Sequence, residues 1–540
     1  MRPPVYLDYA ATTPVDPQVA RALMQCLTAD GVFANASSSH GPGRAAAELI
    51  ERARGQVAAL IGAAPEEIVF TSGATESNNL AVLGCARGNA DRGRHIVSSR
   101  IEHKALLDPC RRLAREGFRV TYVDCDPAGR IDPERVSAAL SPDTVLVSIM
   151  HVNNEIGVIE DVAAIAAACR QRGITFHTDA AQSAGRVELD LGSLPIDLLS
   201  LTAHKIYGPK GIGALYVRRS VRALLRPQSF GGGQERGLRP GTLPTHQIVA
   251  FGAAAELAAR SLASEHAHLT TLRDRLWSGI ARCGGVLLNG QSAPRVPHIL
   301  NVSFEDVEGE SLVAALPTLA LSTGSACHSA TGDSSYVLRA LGRGPRLAES
   351  SLRFSLGRFT TIQEIDYAVE EVCRELGRLR AVCPVRGGAR TCAGEGSSAS
   401  VGGPLDSSAT APIDADASAG AARFFRDLPG AGVIPDSAGT VVRGEAGGPG
   451  EEVWVRFHLL VDGDSVKDAR FEARGCPHTL ATAAWLSGVL RGRRREEALH
   501  GGPQAWARVL GVPVEKLGRL LVIEDALNAS LRSWPPMGQS

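Results

Sequence analysis

Between about residues 66 and 219, short apolar runs alternate with longer stretches whose apolar residues recur every three or four positions. The runs Glu67–Thr71, His95–Ser99, Arg119–Val123, Thr144–His151, Ile174–His177, Asp197–Leu201 and Gly213–Val217 are mostly continuous rather than alternating. That is the pattern of strands covered on both faces of a mostly parallel sheet. Ser77–Arg87, Ala105–Arg115 and Asp161–Arg172 carry the helical spacing, and the last two are followed within two residues by glycine. Strands and helices alternating in this way predict an α/β layered domain.

Residues 245–282 read as helical, and 296–382 mix strands (Ile299–Phe304, Leu352–Leu356) with helices (Gly309–Ala315, Ile362–Arg380), which predicts a smaller α+β domain. Residues 384–420 are dominated by Gly, Ala, Ser, Pro and Asp without a period, so they read as a flexible linker. A compact unit then resumes, with strands near 452–461 and 466–473 and helices near 478–491 and 514–532. The expected domains are therefore 1–382 (a large part at about 15–260 and a small part at about 261–382 with the N-terminal segment), a linker at 383–420 and a last domain at 421–540.

Composition narrows the function. Lys plus Arg and Asp plus Glu each total 57 in 540 residues, so no global field draws nucleic acid or an anionic membrane. No apolar stretch approaches a membrane span, and Met1-Arg2-Pro3-Pro4-Val5-Tyr6 has no apolar signal core. Eleven cysteines without a CxxC pair argue against a disulfide framework and for a reducing compartment, so a cytoplasmic protein is expected.

Only five lysines occur: Lys104, Lys205, Lys210, Lys467 and Lys516. Lys205 closes Leu201-Thr202-Ala203-His204-Lys205, and Asp179 lies in His177-Thr178-Asp179-Ala180-Ala181-Gln182; both fall at carboxyl ends of strands, where ligands of open α/β sheets gather. Thr71-Ser72-Gly73-Ala74-Thr75-Glu76 is a small-residue turn between strand and helix whose amides suit a phosphate. An amine, a carboxylate and a phosphate cradle are what pyridoxal phosphate needs. Lys210, in Tyr-Gly-Pro-Lys-Gly, reads as part of a structural loop.

Tyr6-Leu7-Asp8-Tyr9-Ala10-Ala11-Thr12-Thr13-Pro14, the 71–77 run, Glu102-His103-Lys104, His151-Val152-Asn153-Asn154-Glu155, Ala203-His204-Lys205, Ser325-Ala326-Cys327 and Arg353-Phe354-Ser355-Leu356-Gly357-Arg358 resemble the cysteine desulfurases of the NifS/IscS kind over about residues 5–380. The resemblance implies a fold-type I pyridoxal phosphate homodimer that takes sulfur from L-cysteine and passes it to acceptor or iron–sulfur scaffold proteins. It implies that Lys205 binds the cofactor and moves the α-proton, that Asp179 pairs with the ring nitrogen, and that Gln182 bonds the ring hydroxyl. His103 would stack on the ring and exchange protons near the departing sulfur. Ala74, Thr75, Thr202 and His204 would hold the phosphate, with Thr242 reaching the partner subunit's cofactor. Asn154, which would also contact the cofactor, and Arg353 would hold the substrate, and Cys327 would carry the persulfide. A selenocysteine lyase or an aminotransferase on the same frame is the alternative.

Residues 466–490 and Ile523-Glu524-Asp525-Ala526-Leu527 resemble the iron–sulfur scaffold proteins (IscU-like, or the amino-terminal part of NifU) over about 421–532. That family holds its cluster with three cysteines. Here Cys476 stands alone, and Gly518-Arg519 occupies the place of a His-Cys pair. One thiolate cannot retain a cluster, so no metal is expected. Cys476 is either a sulfur acceptor or an inert residue of a docking or regulatory module.

Overall fold

A computed structural model describes residues 4–323, 334–382, 417–448, 451–498 and 501–535. The chain divides into two compact units, one of Met1–Ser303 with Thr318–Val369, the other of Phe304–Pro317 with Glu370–Ser540.

The first unit is built on a seven-stranded sheet of β1 (Ile68–Thr71), β2 (His95–Ser99), β3 (Arg119–Val123), β4 (Thr144–Ser148), β5 (Thr175–Asp179), β6 (Leu198–Thr202) and β7 (Gly213–Val217), in the order β1-β7-β6-β5-β4-β2-β3. The ladders among β2–β6 are parallel, and β7 runs antiparallel to both β1 and β6. Successive residues enter different cores. Val97, Val147, Phe176, Leu199 and Tyr216 join one cluster, while Ile96, Leu146, Leu198, Leu215 and Val217 join another. With both faces covered there is no solvent side to favour polar residues, which is why the runs are continuous.

Helices α1 (Ala74–Gly88), α2 (Lys104–Arg115) and α3 (Val162–Gln171) connect the strands, and α4 (Thr245–Ala281) follows the sheet. His103 caps α2 through its side chain, and Asp161 caps α3. Strand β7 passes against the turn before α1: a Cβ on Gly213 would lie 2.6 Å from the Leu201 carbonyl and 2.7 Å from the Gly73 Cα. A four-stranded sheet of β8 (Val286–Leu288), β9 (Ile299–Phe304), β10 (Ser322–Thr323) and β11 (Ser351–Ser355) has the order β10-β11-β9-β8.

In the second unit, α5 (Gly309–Ala314) and α6 (Ala417–Asp427) accompany an antiparallel sheet of β12 (Thr440–Ala446), β13 (Trp454–Asp462) and β14 (Ser465–Arg474), with α7 (Pro477–Leu490), α8 (Gly502–Leu510) and α9 (Leu517–Arg532). Strand β12 and helix α8 are not among the elements expected from the pattern, and α6 begins inside the stretch read as linker. Gly444 on β12 explains part of this: a Cβ there would meet Ser530 N at 2.0 Å, so close packing against α9 demands glycine in a strand. Cys373 is disulfide-bonded, which the sparse cysteine spacing does not announce. Among the described residues no helix is long and apolar enough to cross a membrane.

Candidate functional site

The carboxyl ends of β5 and β6, the turn before α1 and the start of α2 converge on a cavity of about 680 Å³ in the first unit. Ala74, Thr75, His103, Asn154, Asp179, Gln182, Thr202, His204, Lys205 and Arg353 all line it. Thr242 does not line it and is exposed. Cys327 lies outside the described residues, although Thr323, four positions before it, reaches the cavity wall.

Lys205 sits in the single 3₁₀ turn Ala203–Lys205 that ends β6. Its ammonium donates to the carbonyls of Ala10 and, at 2.8 Å, Ala11. Asp179 is the last residue of β5. Its Oδ1 accepts from Ala181 N at 2.9 Å and its Oδ2 from Asn78 Nδ2 at 2.7 Å, so both oxygens are fixed in orientation. Gln182 Nε2 donates to Ala10 O at 2.9 Å. The N-terminal segment is therefore a wall of the cavity.

His103 Nδ1 accepts from Ala105 N at 3.1 Å, which leaves the proton of the neutral ring on Nε2. Burial pushes the His103 pKa down, opposed by Asp179 and reinforced by Lys205, so the neutral ring prevails at pH 7. Burial, with Lys205 and Lys210 adding repulsion, drives His204 to about 4. Its Nδ1 lies 3.2 Å from Thr12 Oγ1.

Arg353, on β11, donates from Nη1 to Asn154 O and from Nη2 to Asp8 Oδ1, each at 2.8 Å. Its Nε and the Asn154 Oδ1 are buried without a hydrogen-bond partner. Such orphaned atoms at a cavity call for a polar ligand. At Gly73 a Cβ would have only Thr202 Oγ1 within 4 Å, at 3.8 Å, so the turn leaves open space beside the first amides of α1. An amine, an oriented carboxylate, an orphaned arginine nitrogen and an open cradle fit a phosphorylated aromatic aldehyde carrying an amino acid.

Some lining residues are not among those assigned a role from the sequence. Lys210 lines the cavity rather than serving only a structural loop. Asn78, which orients Asp179, and Glu155 line it too. Burial raises the Glu155 carboxyl to about 7, against the pull of Ser335 and Arg353, and its Oε2 accepts from Ser335 Oγ. A polar pair in the early turns of α1 was the only sequence signal for Asn78.

Cys476 belongs to the second unit. It is the N-cap of α7 and is completely buried, with Sγ 3.5 Å from Thr479 Oγ1. Among the described residues no group of three or more His, Cys, Asp or Glu is placed to hold a metal.

The aminotransferase class-V model matches residues 5–368, and the NifU-like N terminal domain matches 422–537. Cysteine desulfurase IscS of Pectobacterium atrosepticum is 58% identical over 386 residues, covering 71% of this chain and 96% of that protein. The Aeromonas salmonicida protein of the same name has the same identity and coverage. Among solved structures, a NIFS-like protein superposes with a TM-score of 0.65 at 35% identity, over 70% of this chain and 100% of the other. DndA from Streptomyces lividans gives 0.55 at 44% identity, over 65% and 99%.

Proposed function

The chain belongs to the class-V aminotransferase family and is a cysteine desulfurase, and on that footing we propose that it takes the sulfur of L-cysteine with pyridoxal 5'-phosphate, leaving L-alanine and a persulfide on Cys327. The carrying observation is the convergence of Lys205, Asp179, His103 and Arg353 on one cavity beside the Gly73–Thr75 turn.

In this reading Lys205 holds the cofactor through its amine, Asp179 keeps the ring nitrogen protonated, and Gln182 meets the ring hydroxyl. Thr75, Thr202, His204 and the amides around Ala74 take the phosphate. The bound cofactor supplies a sink for the electrons released at the amino acid. Arg353 and Asn154 grip the substrate carboxylate and set its α-carbon toward Lys205, whose amine moves the α-proton. The Cys327 thiolate attacks the substrate sulfur; the new S–S bond forms as the C–S bond breaks, and protonated carbon leaves as alanine. Neutral His103, with its proton on Nε2, exchanges a proton with the sulfur group.

We assign residues 1–382 to the desulfurase and 421–540 to the NifU-like portion, joined by 383–420, in a cytoplasmic homodimer that delivers sulfur to acceptor or scaffold proteins. For the NifU-like portion, complete burial of Cys476 favours a docking module over a sulfur acceptor.

The test is the full chain loaded with pyridoxal phosphate. A visible absorbance lost in Lys205→Ala, and equal alanine and sulfide from cysteine with reductant, lost in Cys327→Ser, are expected. A colourless chain, or sulfur release untouched in Cys327→Ser, overturns the reading.

A further inference from the structure

The second unit brings the acidic turn Glu308-Gly309-Glu310-Ser311 against the face that carries Cys476. Ser311 Oγ donates to the Gly475 carbonyl at 2.8 Å in a buried contact. Glu308 caps α5 by accepting from Ser311 N at 2.7 Å. Both Glu310 oxygens lie 2.9 Å from Lys516 Nζ. Arg519 Nη1 approaches Glu310 at 3.7 Å, and its Nη2 approaches Glu452 at 3.3 Å.

The Arg519 guanidinium also interacts electrostatically with the Cys476 side chain. It thus delivers a fixed positive charge to the thiol, where a bound metal would have to bring its own. Around His478, Lys516 and Arg519 repel an entering cation against the pull of Glu310 and Glu515. The free volume that Asp306, Val307, Glu308 and Ser311 leave against Ala473, Arg474, Gly475 and Leu480 is about 10 Å³, at the lower limit of what a single water needs. Cys476 does not line that space, and its own complete burial keeps an approaching persulfide from its sulfur.

We propose that the Cys476 face is a sealed docking surface whose occupant is the acidic turn 308–311 of this same chain, clamped by Lys516 and Arg519, and that Cys476 neither accepts sulfur nor binds metal while the clamp holds. This rests on reading the NifU-like portion as a docking module, and it deepens that reading by naming what the module docks. Release of Glu310 is the step that would bare the thiol.

The experiment is alkylation of the full-length, cofactor-loaded protein by iodoacetamide, with the Cys476 peptide followed by mass spectrometry and the denatured chain as reference. Alanine formation is measured on the same samples, so failure of the desulfurase chemistry registers separately. Wild-type Cys476 is expected to react far more slowly than in the denatured chain and to carry no persulfide after cysteine is added. Glu310→Lys, which sets three cations together, is expected to speed its alkylation by about tenfold or more through local opening, with alanine formation unchanged. Arg519→Gln gives the same direction by removing the clamp from the other side. Protection unaltered in both variants would place the burial in the packing of α7 alone and overturn the proposal, as would persulfide on wild-type Cys476 or zinc retained by the wild-type second unit.

Discussion

Replacing Arg353 by lysine keeps the charge and removes the fork. In the structure one guanidinium makes two 2.8 Å bonds, to Asn154 O and Asp8 Oδ1, and keeps a third nitrogen, Nε, buried and unpartnered. A lysine ammonium on a flexible stem cannot hold both partners and a substrate carboxylate in one plane. Loss of one charge-assisted hydrogen bond costs about 1.5–3 kcal/mol, or roughly 10- to 150-fold in kcat/KM. The carboxylate is present in ground state and transition state alike, so most of the loss falls on KM rather than kcat. Cofactor content stays near the wild-type level, because the Arg353 bond to Asn154 is to its backbone carbonyl and leaves the Asn154 side chain in place. The assay is alanine formation against cysteine concentration, paired with sulfur release from cysteamine, which lacks the carboxylate. Arg353→Lys should erase the preference for cysteine over cysteamine. An unchanged preference, or a loss confined to kcat, refutes the assignment of Arg353 as the carboxylate clamp.

Stability carries a proton signature at Glu102, which is fully buried and whose carboxyl burial raises to about 8. The folded state keeps a proton that the unfolded chain releases above its ordinary range, so the stabilising contribution is complete at low pH and is lost as pH rises toward 8, at about 1.4 kcal/mol per pH unit. Glu102→Gln keeps acceptors for Ser99 and Met150 and should gain melting temperature relative to wild type between pH 5.5 and 8.5; parallel curves in calorimetry would refute it. Gly444→Ala drives a Cβ into the α9 backbone, a 2.0 Å approach to Ser530 N, and should destabilise the second unit by about 1–3 kcal/mol. An unshifted calorimetric transition would show that β12 and α9 can separate at no cost.

Lys205 and Asp179 were legible because a strand's last residue can be read from where its apolar run stops, and in a parallel sheet that edge is the binding edge. The sheet itself was legible for the same reason: two covered faces leave unbroken runs. Asn78 was not, since its meaning lies in a carboxylate 101 positions away, and a polar pair in the early turns of α1 does not say which partner it meets. Lys210 misled through its Gly-Pro setting, which describes a turn but not what the turn borders. Strand β12 escaped because its packing depends on α9, nearly ninety residues later, and Gly444 breaks the pattern that marks a strand. In the NifU-like portion the missing ligands were visible, but not that Arg519 reaches the remaining thiol.

The pairing of Asp8 with Arg353 spans 345 residues of chain. On a ribosome moving at about 5–20 residues per second, the earliest segment waits some 17–70 s for the strand that completes its half of the cavity. During that interval Ala10 and Ala11 have no lysine to receive, and Tyr6 has no sheet beside it. This wall of the cavity is therefore closed only after chain 345 positions further on has been made.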